Sequence, residues 1–151
     1  MKAFRVDNNT DFKCRHCSAY VSASRALAGV VNRNHCPYCL WSRHLDLFEA
    51  GDRLAACKAP MRPVGLTLKN SRNKYARIRS GELMLVHLCT DCERISINRI
   101  AADDVRQAIL EVFEASLVSP DRTRQQITIG EINLLGNESF EMVYQQLYGQ
   151  T

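Results

Sequence analysis

Three Cys-x-x-Cys pairs, Cys14/Cys17, Cys36/Cys39 and Cys89/Cys92, constrain this chain more than any other feature, and a lone Cys57 makes the count seven. Each pair delivers two thiolates from one tight turn, which suits the tetrahedral site that zinc prefers. Residues 18–35 separate the first two pairs, a spacing that fits two knuckles of a zinc ribbon closing one four-cysteine site. A redox dithiol is the rival reading of Cys36-Pro37-Tyr38-Cys39. It requires a thioredoxin-like βαβ setting with the dithiol at a helix N-terminus, and nothing around Cys36 has that pattern. Disulfides fit an odd cysteine count poorly.

Cys57, Cys89 and Cys92 supply three ligands of a second site. Its fourth comes from His44 or His87. Strand alternation puts His87 on the face of Cys89, yet so near the knuckle that the geometry is cramped, so His44 is preferred. Asp46 lies on the face of His44 as a carboxylate able to orient its ring. The bland alternative is three buried thiols without metal, because free cysteine packs as a small hydrophobe. An open three-ligand zinc would need a general base beside it, and Asp46, Glu49 and Asp52 form no such pair. The chain contains no G-x-S-x-G, P-loop, dinucleotide fingerprint or H-E-x-x-H. The expectation is two structural zinc ions and no enzymatic activity.

Charge divides the chain near residue 100. Residues 1–100 hold 17 Lys/Arg against 8 Asp/Glu, and residues 101–151 hold 3 against 8. No acid interrupts the stretch from Lys58 to Arg79. Such a basic field favours phosphate contact. The residues singled out for nucleic acid are Arg33, Lys69, Arg72, Lys74, Arg77 and Arg79, with Tyr75 placed to stack on an unpaired base. Tyr38 and Trp41 are able to stack too, although both serve equally well in a core. RNA, alone or in a ribonucleoprotein, ranks ahead of DNA because no recognition helix is evident. The competing class is a protein-interaction module that docks a partner or a second copy through the acidic tail. No segment has the length of a membrane span or the apolar core of a signal peptide, so a cytoplasmic protein without membrane contact is expected.

Short strands are expected at Leu45–Phe48, Val64–Leu68, Leu83–Val86 and from Ile95 onward. Residues 19–31 suit a helical turn or a long hairpin. Asp104 and Gln107 resemble a capping box opening a helix with Val105, Ile109, Val112 and Phe113 on one face, ended by Ser119-Pro120. Residues 127–135 are open between strand and loop. Asn137 is placed to cap a last helix with an apolar stripe of Phe140, Val143, Tyr144, Leu147 and Tyr148, stopped by Gly149. The fold class expected is α+β: a β-rich tandem zinc-ribbon module over residues 1–104, then a helical acidic extension over 105–151. Chelation is expected to unfold the module and to spare helical signal from the extension.

The string RNHCPYCLWSRHLD, starting at Arg33, resembles the signature of the RNHCP domain family. Cys14-x-x-Cys17, Gly51-Asp52-Arg53 before Cys57, Met61-Arg62-Pro63-Val64, His87-x-Cys89-x-x-Cys92 and Asn98-Arg99 before Ala102-Asp103-Asp104 extend the likeness across residues 11–104. Glu93 departs from it, standing where a glycine is expected after the last knuckle. The resemblance implies a zinc-ribbon-like fold and bound metal, and it names no activity. Within the signature, His35 is read as a residue beside a full cage or on the surface. Arg33 and Asn34 are read as strand-end hydrogen bonders or phosphate contacts.

Overall fold

In the computed structural model, residues 11–30, 33–45, 57–70 and 81–149 are described. A two-stranded hairpin, β1 (Phe12–Lys13) and β2 (Tyr20–Val21), precedes a single helical turn, α1 (Arg25–Ala28). Of the stretch 19–31, residues 25–28 form the helical turn, while Tyr20–Val21 pair back across the first knuckle and not in a long hairpin within the stretch; residue 31 lies outside the described residues. Four antiparallel strands follow in spatial order: β3 (Ser42–Arg43), β4 (Pro60–Asn70), β5 (Gly81–Cys89) and β6 (Ile95–Arg99). Then come α2 (Arg106–Ser116), α3 (Asp121–Ile129) and α4 (Phe140–Tyr148).

The alternation of β5 explains how the sheet is covered. Leu83 and Leu85 join Leu40, Leu66, Ile109, Phe113, Val143 and Leu147 in one buried cluster. Val86 and Leu88 join Val64, Ile127, Ile95 and Leu134 in another. Successive side chains of a strand point to opposite faces, so α2 and α4 cover one face and α3 the other. The near-continuous burial of residues 83–87 follows from that double cover. Sheet and helices therefore share one core, and the change of charge near residue 100 does not coincide with a break in packing.

Three local expectations for the helices need correction. Asp104 does not cap α2: the N-cap is Val105, without a side-chain cap, and the Asp104 carboxylate is engaged elsewhere. Gln107 bonds to Glu111 and Tyr148 instead. Asn137 opens a 3₁₀ turn, Asn137–Ser139, that leads into α4 and offers no side-chain cap. Residues 121–129 form a helix, and residues 131–136 form neither strand nor helix. Of the strand expected at Leu45–Phe48, residues 46–48 lie outside the described residues, while Leu45 is in no strand. Gly149 ends α4 with φ 77° and ψ 173°, an extended conformation open to glycine and not the left-handed helical cap, and its N–H donates to Gln145 O at 2.7 Å.

The 131–136 segment protects the outer edge of β4. Leu135 N–H donates to Leu66 O at 2.8 Å, and Thr67 Oγ1 donates to Asn133 O at 2.6 Å. An uncovered edge there would present unpaired backbone groups to other chains. The register slips between Pro63 and Gly65, and a Cβ on Gly65 would collide with the Leu134 side chain. Gly65→Ala is expected to cost about 1–3 kcal/mol by overpacking, read as a lower urea midpoint with unchanged slope.

Candidate metal centres and the buried clamp beside them

All three knuckles close in the same way. The first cysteine's carbonyl accepts an N–H four residues on: Ser18 at 2.9 Å, Leu40 at 2.9 Å and Glu93 at 3.2 Å. Its own N–H donates to a carbonyl five residues on, Ala19, Trp41 or Arg94, at 2.8–2.9 Å. Ser18, Leu40 and Glu93 all take a left-handed φ, of 67°, 67° and 62°. Glycine is the usual occupant of such positions, yet none of the three has it. Glu93 therefore follows this chain's own pattern, and its carboxylate binds Arg122 at 2.6 Å and Gln126 at 3.1 Å, tying the knuckle to α3.

The first centre brings Cys14 and Cys17, from the β1–β2 hairpin, against Cys36 and Cys39. Cys14 Sγ lies 3.5 Å from Cys39 Sγ, and Cys17 Sγ 3.6 Å from Cys36 Sγ. A tetrahedron with Zn–S bonds of about 2.3 Å has edges of about 3.8 Å, so these four sulfurs already stand near its corners. All seven cysteines are free thiols. Burial pushes Cys36 and Cys39 above the usual thiol range and the adjacent thiols add to it, against backbone N–H groups that pull the other way. Packing four thiolates there is favourable only around a cation.

The second centre is built by pairing. His44 and Cys57 face each other where β3 meets β4: His44 N–H donates to Ala59 O at 3.0 Å, and Lys58 N–H donates to His44 O at 3.1 Å. Cys89 ends β5 opposite Met61, which carries its knuckle to the same place. Cys57 Sγ is 3.6 Å from Cys89 Sγ, and His44 Nδ1 is 3.3 Å from Cys92 Sγ. Within each centre the four ligand atoms lie within 4.8 Å of one another. One Cys₄ and one Cys₃His set fit two zinc ions.

The alternative ligand His87 is committed elsewhere. It is fully buried; its Nε2–H donates to Leu40 O at 2.7 Å, and its Nδ1 accepts from the Asn98 amide at 2.8 Å. Burial drives its pKa down to about 3, with His35 nearby adding to the effect. His87 thus holds the second knuckle to β5 and β6 as a neutral ring. His87→Ala is expected to leave the Leu40 carbonyl and the Asn98 amide unpaired, costing about 2–4 kcal/mol, with two zinc ions retained. His44→Ala, by contrast, is expected to lose one zinc. Metal content beside the denaturation midpoint separates the two roles.

For the signature in front of Cys36 the structure keeps the hydrogen-bonding alternative and removes the phosphate and surface ones. Arg33 is not a phosphate contact: its side chain is wholly buried. It forks onto Asp103, with Nη1 at 2.8 Å from Oδ2 and Nη2 at 2.7 Å from Oδ1, and lies 3.5 Å from Asp104 Oδ1. Its Nε donates to His35 O at 3.1 Å. Nor is His35 a surface residue: it is 2% exposed, and its Nε2 meets Asp104 Oδ2 at 2.7 Å. Asp104 also accepts the Ala101 N–H at 2.8 Å. Two backbone bonds complete the clamp, Ala102 N–H to Ala28 O at 2.6 Å and Val105 N–H to Pro37 O at 2.9 Å. It fastens the chain entering α2 onto the first zinc centre.

Among the remaining residues singled out, Lys69 is exposed on β4. Arg72, Lys74, Tyr75, Arg77 and Arg79 lie outside the described residues, as does Asp46, so the suggested Asp46–His44 contact does too. Tyr38 is 58% exposed, and Trp41 is half-buried, its ring stacked on His16 at 4.2 Å.

Knuckles of one geometry, two four-ligand sets and a β-sheet between them define a tandem zinc-ribbon-like module. The chain belongs to the RNHCP domain family, whose domain matches residues 9–110. No curated protein and no solved structure is significantly similar to it.

Proposed function

We propose that this zinc-binding module is an adapter that contacts RNA or a ribonucleoprotein through its basic part and carries out no catalysis. The observation that carries the reading is the charge distribution: 17 Lys/Arg against 8 Asp/Glu in residues 1–100, with no acid between Lys58 and Arg79. Seven thiolates and two Zn²⁺ together subtract only three charges, so the module stays basic with its metal bound. Four protein ligands at each centre are the mark of closed, structural sites, which supports a role in holding surface rather than activating water. The test is binding of a labelled single-stranded RNA across a salt series. Phosphate contact by Lys69, Arg72, Lys74, Arg77 and Arg79 gives a slope of log K against log salt of about −3.5. No binding at low ionic strength would contradict the proposal.

A second reading has its own observation. Phe140, Tyr144 and Tyr148 form a row on α4, with ring centroids 6.3 and 4.8 Å apart and exposures of 37%, 48% and 38%. Such a row suits a protein partner or a second copy of the chain. A dimer that dissociates on Tyr144→Glu, seen by sedimentation, would favour it.

A further inference from the structure

We propose that the first zinc centre carries the surface on which unpaired bases of RNA stack, with Tyr20 and Tyr38 as the two platforms. The inference rests on the RNA-binding reading above and assigns it a place that the basic stretch does not include. Tyr20 is 82% exposed and Tyr38 58% exposed, large rings that the fold leaves uncovered. They belong to the two knuckles that close one metal site. Tyr20 follows the Cys14/Cys17 knuckle on β2, and Tyr38 is inside the Cys36/Cys39 knuckle, whose sulfurs meet those of the first at 3.5 and 3.6 Å.

Both residues stand on hydrogen-bonded backbone. Tyr38 N–H donates to the ligand sulfur Cys36 Sγ at 3.4 Å, and Tyr20 pairs directly with Lys13 across the hairpin. A platform ordered beforehand loses little entropy when a base settles on it. The surroundings are cationic. Lys13 Nζ lies 6.0 Å from the centre of the Tyr20 ring, and Arg15 and Arg25 are exposed. Asp11, the one acid of residues 11–45, is occupied by the Ala23 N–H at 2.7 Å. Arg33 contributes no phosphate contact here, being paired inside the clamp. Exposed aromatics flanked by exposed cations are the composition that binds single strands, where rings take bases and cations take phosphates. A protein partner of acidic character would use the cations but gain less from two separate rigid tyrosines.

The test uses the full zinc-loaded chain and a fluorescein-labelled oligouridylate at fixed ionic strength. Tyr20→Ala with Tyr38→Ala is expected to weaken binding by about tenfold or more, at an unchanged salt slope, because rings and not charges are lost. Tyr20→Phe with Tyr38→Phe is expected to bind like the natural chain. Two zinc ions per chain in both variants show that the knuckles are intact. Equal affinity of the alanine variant and the natural chain would overturn the inference while leaving RNA binding standing. Failure of the natural chain to bind at low salt would overturn both.

Discussion

Exhaustive removal of zinc is expected to unfold the whole chain, helices included. A structural zinc is worth on the order of 10–16 kcal/mol of apparent folding free energy at neutral pH, and a domain's net stability is only about 5–15 kcal/mol. Losing either ion therefore exceeds what the rest of the fold can supply. From charge and spacing alone, the helices beyond residue 104 were expected to survive chelation. The shared core argues otherwise: Ile109, Phe113, Val143 and Leu147 are buried against Leu66, Leu83 and Leu85 of the sheet. Without that surface, helices of 11, 9 and 9 residues stand alone, and isolated helices of such length are marginal in water. Far-UV circular dichroism and limited proteolysis during titration with a strong chelator should fall together. A helical signal that persists, or a sheet that stays protease-resistant, would show that the core does not depend on the metal.

Asp104→Ala is expected to cost about 3–5 kcal/mol in the zinc-loaded protein, measured by urea unfolding. The carboxylate accepts from His35 at 2.7 Å and from the Ala101 N–H at 2.8 Å, and it faces the buried Arg33 guanidinium. Its removal strands two buried donors and part of a buried charge. Asp104→Asn keeps an acceptor and is expected to lose less. Had Asp104 only capped α2, alanine would cost about 1 kcal/mol, so the size of the loss decides between a clamp and a cap.

That residue also shows where sequence stops being informative. Asp104 and Gln107 carry the local pattern of a capping box, and local pattern was all there was to read. The true partners, Arg33 and His35, lie about seventy positions away, and nothing in a single sequence joins them. The cysteines were legible because ligand chemistry is local: one knuckle fixes two thiolates and makes a second pair necessary. His44 is the ligand of the two weighed, but what removes His87 is not a cramped knuckle: its ring is held between Leu40 and Asn98, partners too distant in sequence to be read there. Strands β4 and β6 were legible from apolar alternation and β5 from a compact apolar run. Helix α3 was not, because its one strongly apolar buried contact is Ile127, with Thr123 one turn before it, and β-branched residues dilute the helical pattern. Of the knuckles' left-handed positions only that of Glu93 was legible, through the glycine the resemblance leads one to expect there. Ser18 and Leu40 occupy the other two without the glycine that would have announced them.

The account's central claim is that seven cysteines and His44 make two closed metal centres that hold this fold together. Elemental analysis of the natively purified chain tests it most directly, with His44→Ala measured alongside. Two zinc ions per natural chain and one per variant are expected. One zinc in the natural chain, unchanged by His44→Ala, would contradict it and return Cys57, Cys89 and Cys92 to the role of buried thiols.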